Sequence, residues 1–187
     1  TRSDWSSDVC SSDLTVPRLS VRMVNSMMPS RKTDEHYMRL AIAQAAEGVH
    51  SGQSPFGACI VRDGTVVSCA HNTVLRHTDS TEHAEINAIR AACRALQTID
   101  LSGGTIYTTC EPCPMCFTAC HWARLDRIVY GAAIADVQAV GFNELTIPAE
   151  TMKRAGGSPI KLTGGVLREE NVALIQAWAM REDRQAY

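Results

Sequence analysis

The chain has 187 residues, 45% hydrophobic and 20% charged, the composition of one soluble domain with enough apolar surface to bury a core. A net charge of −2 leaves no basic bulk to hold a polynucleotide, so nucleic acid is not an expected partner. No apolar run reaches the length of a membrane span, and eight cysteines at no disulfide-like spacing predict a reducing, cytoplasmic setting.

The stretch from Asp4 to Leu14 resembles the translation of a sequencing-library adapter. Residues 1–30 are therefore expected to be a non-native or disordered extension, with no apolar core of a secretory leader, and residues 31–187 to form the domain. Thr33 or Asp34 caps a first helix with Met38, Ala41, Ile42, Ala45 and Val49 on one face, ended by Gly48 and Ser51-Gly52. Ala58–Val61 reads as a strand, Asp63-Gly64 as a tight turn and Val66–Ala70 as its hairpin partner. A polar loop, His71 to Thr81, leads to a helix with Ile86, Ile89 and Cys93 as its apolar stripe. Strand Thr105–Thr109 follows, then a helix to about Arg124, strand Ile128–Tyr130, a loop with some helix over 136–156, and a short strand at Ile160–Leu162. The last helix runs from Leu167 to about Arg181, with Val172, Leu174, Ile175 and Trp178 buried. Alternating strands and helices predict a three-layer α/β/α sandwich around a mostly five-stranded mixed sheet that begins with an antiparallel hairpin.

Two motifs about thirty residues apart carry the chemistry: His83-Ala84-Glu85, and Cys110-Glu111-Pro112-Cys113-Pro114-Met115-Cys116. Zn²⁺ takes imidazole and thiolate ligands, and a catalytic zinc keeps one tetrahedral position open for water. His83, Cys113 and Cys116 are the expected ligands, one Zn²⁺ per chain. Glu85, next to a ligand but not needed as one, is the expected proton shuttle. Both motifs open helices, whose N-termini favour thiolates. A structural zinc would need a fourth protein ligand, and Cys110, Cys113 and Cys116 also read as an iron–sulfur spacing. Neither alternative accounts for Glu85.

The double motif is the signature of zinc nucleobase deaminases. From about Asp34 to Tyr187 the chain resembles bacterial guanine deaminases of the cytidine-deaminase-like superfamily. The likeness rests on Pro55-Phe56-Gly57-Ala58, the two motifs, Trp122-Ala123-Arg124 and Gly141-Phe142. It implies hydrolysis of a free base, guanine to xanthine and ammonia. It implies substrate contacts from Phe56, Asn72, Trp122, Asp136 and Tyr187, with Asp136 accepting from the N1–H and amino edge of guanine. It also implies a homodimer that swaps its C-terminal segment, so that Tyr187 closes the partner's pocket; an aromatic that follows a polar run is ordered only when something buries it. Guanosine, cytosine and tRNA adenosine deaminases are the competing readings. A tRNA enzyme needs a cationic tail, and Arg181-Glu182-Asp183-Arg184 is mixed.

Overall fold

The computed structural model describes residues 33–187; the proposed 1–30 extension lies outside them. The first helix, α1 (Asp34–His50), begins at Thr33, whose hydroxyl accepts from His36 N, and carries Asp34 and Glu35 in its first turn. Acidic residues there oppose the positive end of the helix dipole. Its buried side is Tyr37, Met38, Ala41, Ala45 and Gly48, with Ile42 and Val49 half-buried at its margin. Strands β1 (Gly57–Arg62) and β2 (Thr65–His71) form the predicted hairpin. Asp63 and Gly64 both have positive φ at its turn, as a two-residue hairpin loop requires.

Next come α2 (Val74–His77), α3 (Ala84–Leu96), β3 (Gly104–Cys110), α4 (Pro114–Trp122) and β4 (Arg127–Ala132). The chain continues with α5 (Ile134–Gln138), α6 (Ala149–Gly156), β5 (Lys161–Thr163) and α7 (Arg168–Ala179). The sheet order is β2-β1-β3-β4-β5. β1 is antiparallel to both β2 and β3, and β3, β4 and β5 run parallel. Helices α3, α4 and α6 pack on one face over Ile60, Ile106 and Ile128. Helices α1 and α7 cover the other, over Cys59, Tyr107, Val129 and Ala132. This is the predicted three-layer sandwich.

Small residues let the layers close. A Cβ on Gly57 would stand 2.2 Å from the carbonyl oxygen of Ala41, so β1 meets α1 backbone to backbone. On α3 the buried line is Ala84, Ala88 and Ala92, not the predicted Ile86, Ile89 and Cys93, which are half-buried. The helix lies so close to the sheet that only methyl groups fit between, and the larger side chains are pushed to its flanks. On α7 the buried positions are Asn171, Ile175 and Trp178, with Val172 and Leu174 at the edge. Asn171 bonds the carbonyls of Val166 and Leu167, a helix-entry role that an apolar stripe does not reveal.

The cysteine reading needs one correction. Cys59 and Cys69 face each other across β1 and β2 and are joined as a disulfide. Ten residues of separation gave no disulfide pattern in the sequence; strand register brought the two thiols together.

Candidate active site

Two helix N-termini converge where β3 ends. His83 is the N-cap of α3 and Cys113 the N-cap of α4, with Pro114 at the first helical position. Pro suits that place because its missing N–H would have had no helical partner. Cys116 follows in the first turn of α4 and is fully buried. Neither N-cap side chain caps its own helix, so both turn toward the space between the helices. The ligand atoms of His83, Cys113 and Cys116 lie within 4.8 Å of one another. Cys113 Sγ is 3.7 Å from His83 Nδ1. With Zn–S and Zn–N bonds near 2.3 and 2.0 Å, a tetrahedral pair stands about 3.5 Å apart. One imidazole and two thiols at this spacing fit zinc with one position left over.

The charges suit a cation as well. Cys116 donates to Cys113 and, with His83 alongside, pulls the Cys113 thiol down to about 4. Glu85 lies in the first turn of α3 and is only 6% exposed. Burial pushes its carboxyl up to about 7, against the attraction of His83. A buried carboxyl poised near neutrality is what proton transfer in both directions requires.

A small cavity opens on the cluster, lined by Phe56, His83, Glu85, Thr108, Cys110, Glu111, Cys113 and Glu144. Aromatic rings wall one side. Phe142 stacks on Trp178 at 4.9 Å and meets Phe56 edge-on at 5.0 Å. Asn72 is fully buried. Its Oδ1 accepts from Val74 N at 3.1 Å, which leaves Nδ2 to donate to Tyr187 Oη at 2.5 Å. The Tyr187 ring is 6.0 Å from His83 and 5.6 Å from Phe142, and its carbonyl accepts from Asn143 N. In this single chain the tail therefore folds onto its own site.

Two residues expected at the pocket stand elsewhere. Asp136 Oδ2 accepts from Ala133 N at the start of α5, and Oδ1 accepts from Arg168; both oxygens are committed outside the cavity. Trp122, at the end of α4, is 76% exposed and lines a separate surface groove with His121, Arg124 and Ile160. Besides Glu85 and Glu111, the acid at the cavity is Glu144, half-buried, its carboxyl raised by burial and by the neighbouring Cys113. The spacing held a clue to this exchange. Asp136 lies three residues after Ala133, the offset of a helix-capping acid, whereas Glu144 stands two residues after Phe142 in a loop.

The family model for the cytidine and deoxycytidylate deaminase zinc-binding region matches residues 31–132, which carry both motifs. The chain belongs to this family. The deaminase is thus a zinc-dependent aminohydrolase. It is 38% identical to the guanine deaminase of Bacillus subtilis over 154 residues, 82% of this chain and 98% of that one. The solved structure of guanine deaminase from Nitrosomonas europaea matches with a TM-score of 0.75 and 28% identity, covering 87% of this chain and 94% of the other. A tRNA-specific adenosine deaminase of Bacillus subtilis is 45% identical, but over 101 residues, 53% of this chain and 62% of the relative. Among the described residues no helix is long and apolar enough to cross a membrane.

Proposed function

We propose that the deaminase hydrolyses guanine to xanthine and ammonia. The observation that carries this reading is the reach of the likeness. It extends over 154 residues of the guanine deaminase and 101 of the tRNA enzyme. The family model ends at residue 132, and a likeness of 154 residues must run past that point. The net charge of −2 and the mixed tail speak against a polynucleotide substrate.

In this reading His83, Cys113 and Cys116 hold the zinc, which when bound supplies a Lewis acid that acidifies water. Glu85 takes the two protons of the attacking water in turn, passing one to the ring nitrogen and one to the amine, which leaves as ammonia. The C2–O bond forms as the C2–N bond breaks. Glu144 replaces Asp136 as the carboxylate that accepts from the N1–H and amino edge, because an ionised carboxylate only accepts. Asn72 offers the ring its Nδ2 donor, and Phe56, Phe142 and Tyr187 enclose its faces. Trp122 has no part in the pocket of a single chain. The test is ammonia release from guanine, guanosine, adenine, cytosine and cytidine side by side. Guanine should lead by at least about tenfold, since a site built around its donors leaves buried acceptors unpaired with other bases. A lead for any other substrate overturns the reading.

We infer further that the enzyme is a homodimer that exchanges its C-terminal segments. The link between α7 and Tyr187 supports this. Met180 is 86% exposed and residues 181–186 are exposed throughout, so one half-buried aromatic hangs from an exposed strap. A second copy that delivers the same Tyr187 preserves every pocket contact, which makes exchange a low-cost route to a dimer. An indole as exposed as Trp122 also suits a surface that a partner covers.

A further inference from the structure

We propose that Glu111 is a positioning residue: its single carboxylate holds the first residues of α5 and of α6, the two helices that flank the loop carrying Phe142 and Glu144, and so helps to set where Glu144 stands opposite the His83, Cys113 and Cys116 cluster. The loop, residues 139–148, contains no helix or strand. It leaves from α5 and enters α6. Glu111 Oε2 accepts from Ile134 N at 3.3 Å, and Ile134 is the first residue of α5. Glu111 Oε1 accepts from Ala149 N at 2.8 Å, and Ala149 is the first residue of α6. The backbone N–H of Glu111 donates to the carbonyl of Ala132 at 2.8 Å, continuing the β3–β4 pairing one residue past Cys110 and Ala132.

The chemistry of the bracket is specific. Both donors are first-turn helix amides, which have no partner within their own helix and carry the positive end of its dipole. A carboxylate meets both, because each oxygen accepts and neither donates; a glutamine could serve only one of them. Glu111 also lines the cavity, yet both its oxygens point into this bracket. It is two residues before Cys113 in sequence. The starts of α5 and α6 cannot shift against the zinc ligands without breaking a bond at Glu111. The helices on either side of the pocket's acid are thereby tied to the segment that carries the metal ligands, although 28 residues separate Cys116 from Glu144.

This inference rests on the reading of Glu144 as the carboxylate that faces the substrate, and the test separates the two. Zinc per chain, kcat and KM for guanine are measured for Glu111→Ala, Glu111→Gln, Glu144→Ala and the double variant Glu111→Ala/Glu144→Ala. Zinc content should stay near that of the parent. Glu111→Ala should lower kcat/KM by about 10- to 100-fold, the scale of a misplaced reacting group, and Glu111→Gln by less. In the Glu144→Ala background the further loss should shrink to under about threefold, since residues that act as a unit are non-additive. Ala149→Pro approaches the same bond from the donor side. It removes one N–H at a first helical position, where proline is tolerated, so it should resemble Glu111→Gln and add little to Glu111→Ala. It also carries the test should Glu111→Ala fail to fold. Full additivity of Glu111→Ala on Glu144→Ala, or loss of zinc in Glu111→Gln, overturns the proposal. A parent-like Glu144→Ala removes the reading beneath it, a pattern distinct from either.

Discussion

The metal cluster and the pocket wall are built in opposite ways. His83, Cys113 and Cys116 all lie at the starts of two helices, and those helices are clamped to the sheet by fully buried residues such as Ala88 and Cys120. The wall opposite comes from an irregular loop around Glu144 and an exposed tail that ends in Tyr187. The first region needs only local rules, a helix start with a ligand at its cap and another in its first turn. The second depends on contacts made across the whole chain, from Glu111 to Ala149 and from Asn72 to Tyr187. Chemistry is thus carried by helix starts packed on the sheet, and much of recognition by an irregular loop and the tail.

The sharpest way to break this division is at Glu85. If it shuttles protons without binding metal, Glu85→Ala keeps about one zinc per chain and loses kcat by about 10²- to 10⁴-fold. Parent-like turnover, or protein emptied of metal, removes Glu85 from that role. Zinc analysis and steady-state kinetics on the purified variant read both.

A smaller effect separates the two acids of the second region. Glu144→Ala should lower kcat/KM for guanine by about 10²-fold. Asp136→Ala should leave kcat/KM within about threefold and instead lower stability by about 1 kcal/mol, because it uncaps α5. The reverse ranking would return Asp136 to the pocket, as the sequence reading had it.

The tail gives a third test. A chain that lacks Tyr187 and a Glu85→Ala chain should each be nearly inactive. Mixed in equal amounts under conditions of subunit exchange, they should recover activity in about a quarter of all sites: half the dimers are mixed, each with one complete site. No recovery despite proven exchange would assign the tail to its own chain.

The gentlest probe is thermal stability against pH in metal-free protein. Burial raises the Glu85 carboxyl from an ordinary 4.5 to about 7. The folded state therefore holds a proton that the unfolded chain releases, and stability falls as pH rises from 4.5 to 7, with the full cost present above 7. Glu85→Gln removes that cost. Its gain should be near zero below pH 4.5 and reach up to about 3 kcal/mol above pH 7. A gain that does not vary with pH would mean that packing, and not ionisation, causes it.

What the sequence determined by itself was whatever depends on near neighbours. The hairpin at Asp63-Gly64, the Thr33 cap and the two motif-bearing helix starts all follow from residues within a turn of one another, and each stands where it was expected. The alternation of strand and helix was enough for the layer order, since a parallel pair of strands needs a crossover helix to bury its face. Only the tertiary structure decided that α3 buries alanines, that Cys59 meets Cys69, and that Glu144 stands at the cavity while Asp136 caps α5 and Trp122 faces outward. In each case the outcome turns on how closely two layers approach, or on which way an irregular loop runs after its helix ends. Those are set by distant partners such as Glu111 and Arg168, of which the spacing along the chain shows no more than the capping offset of Asp136.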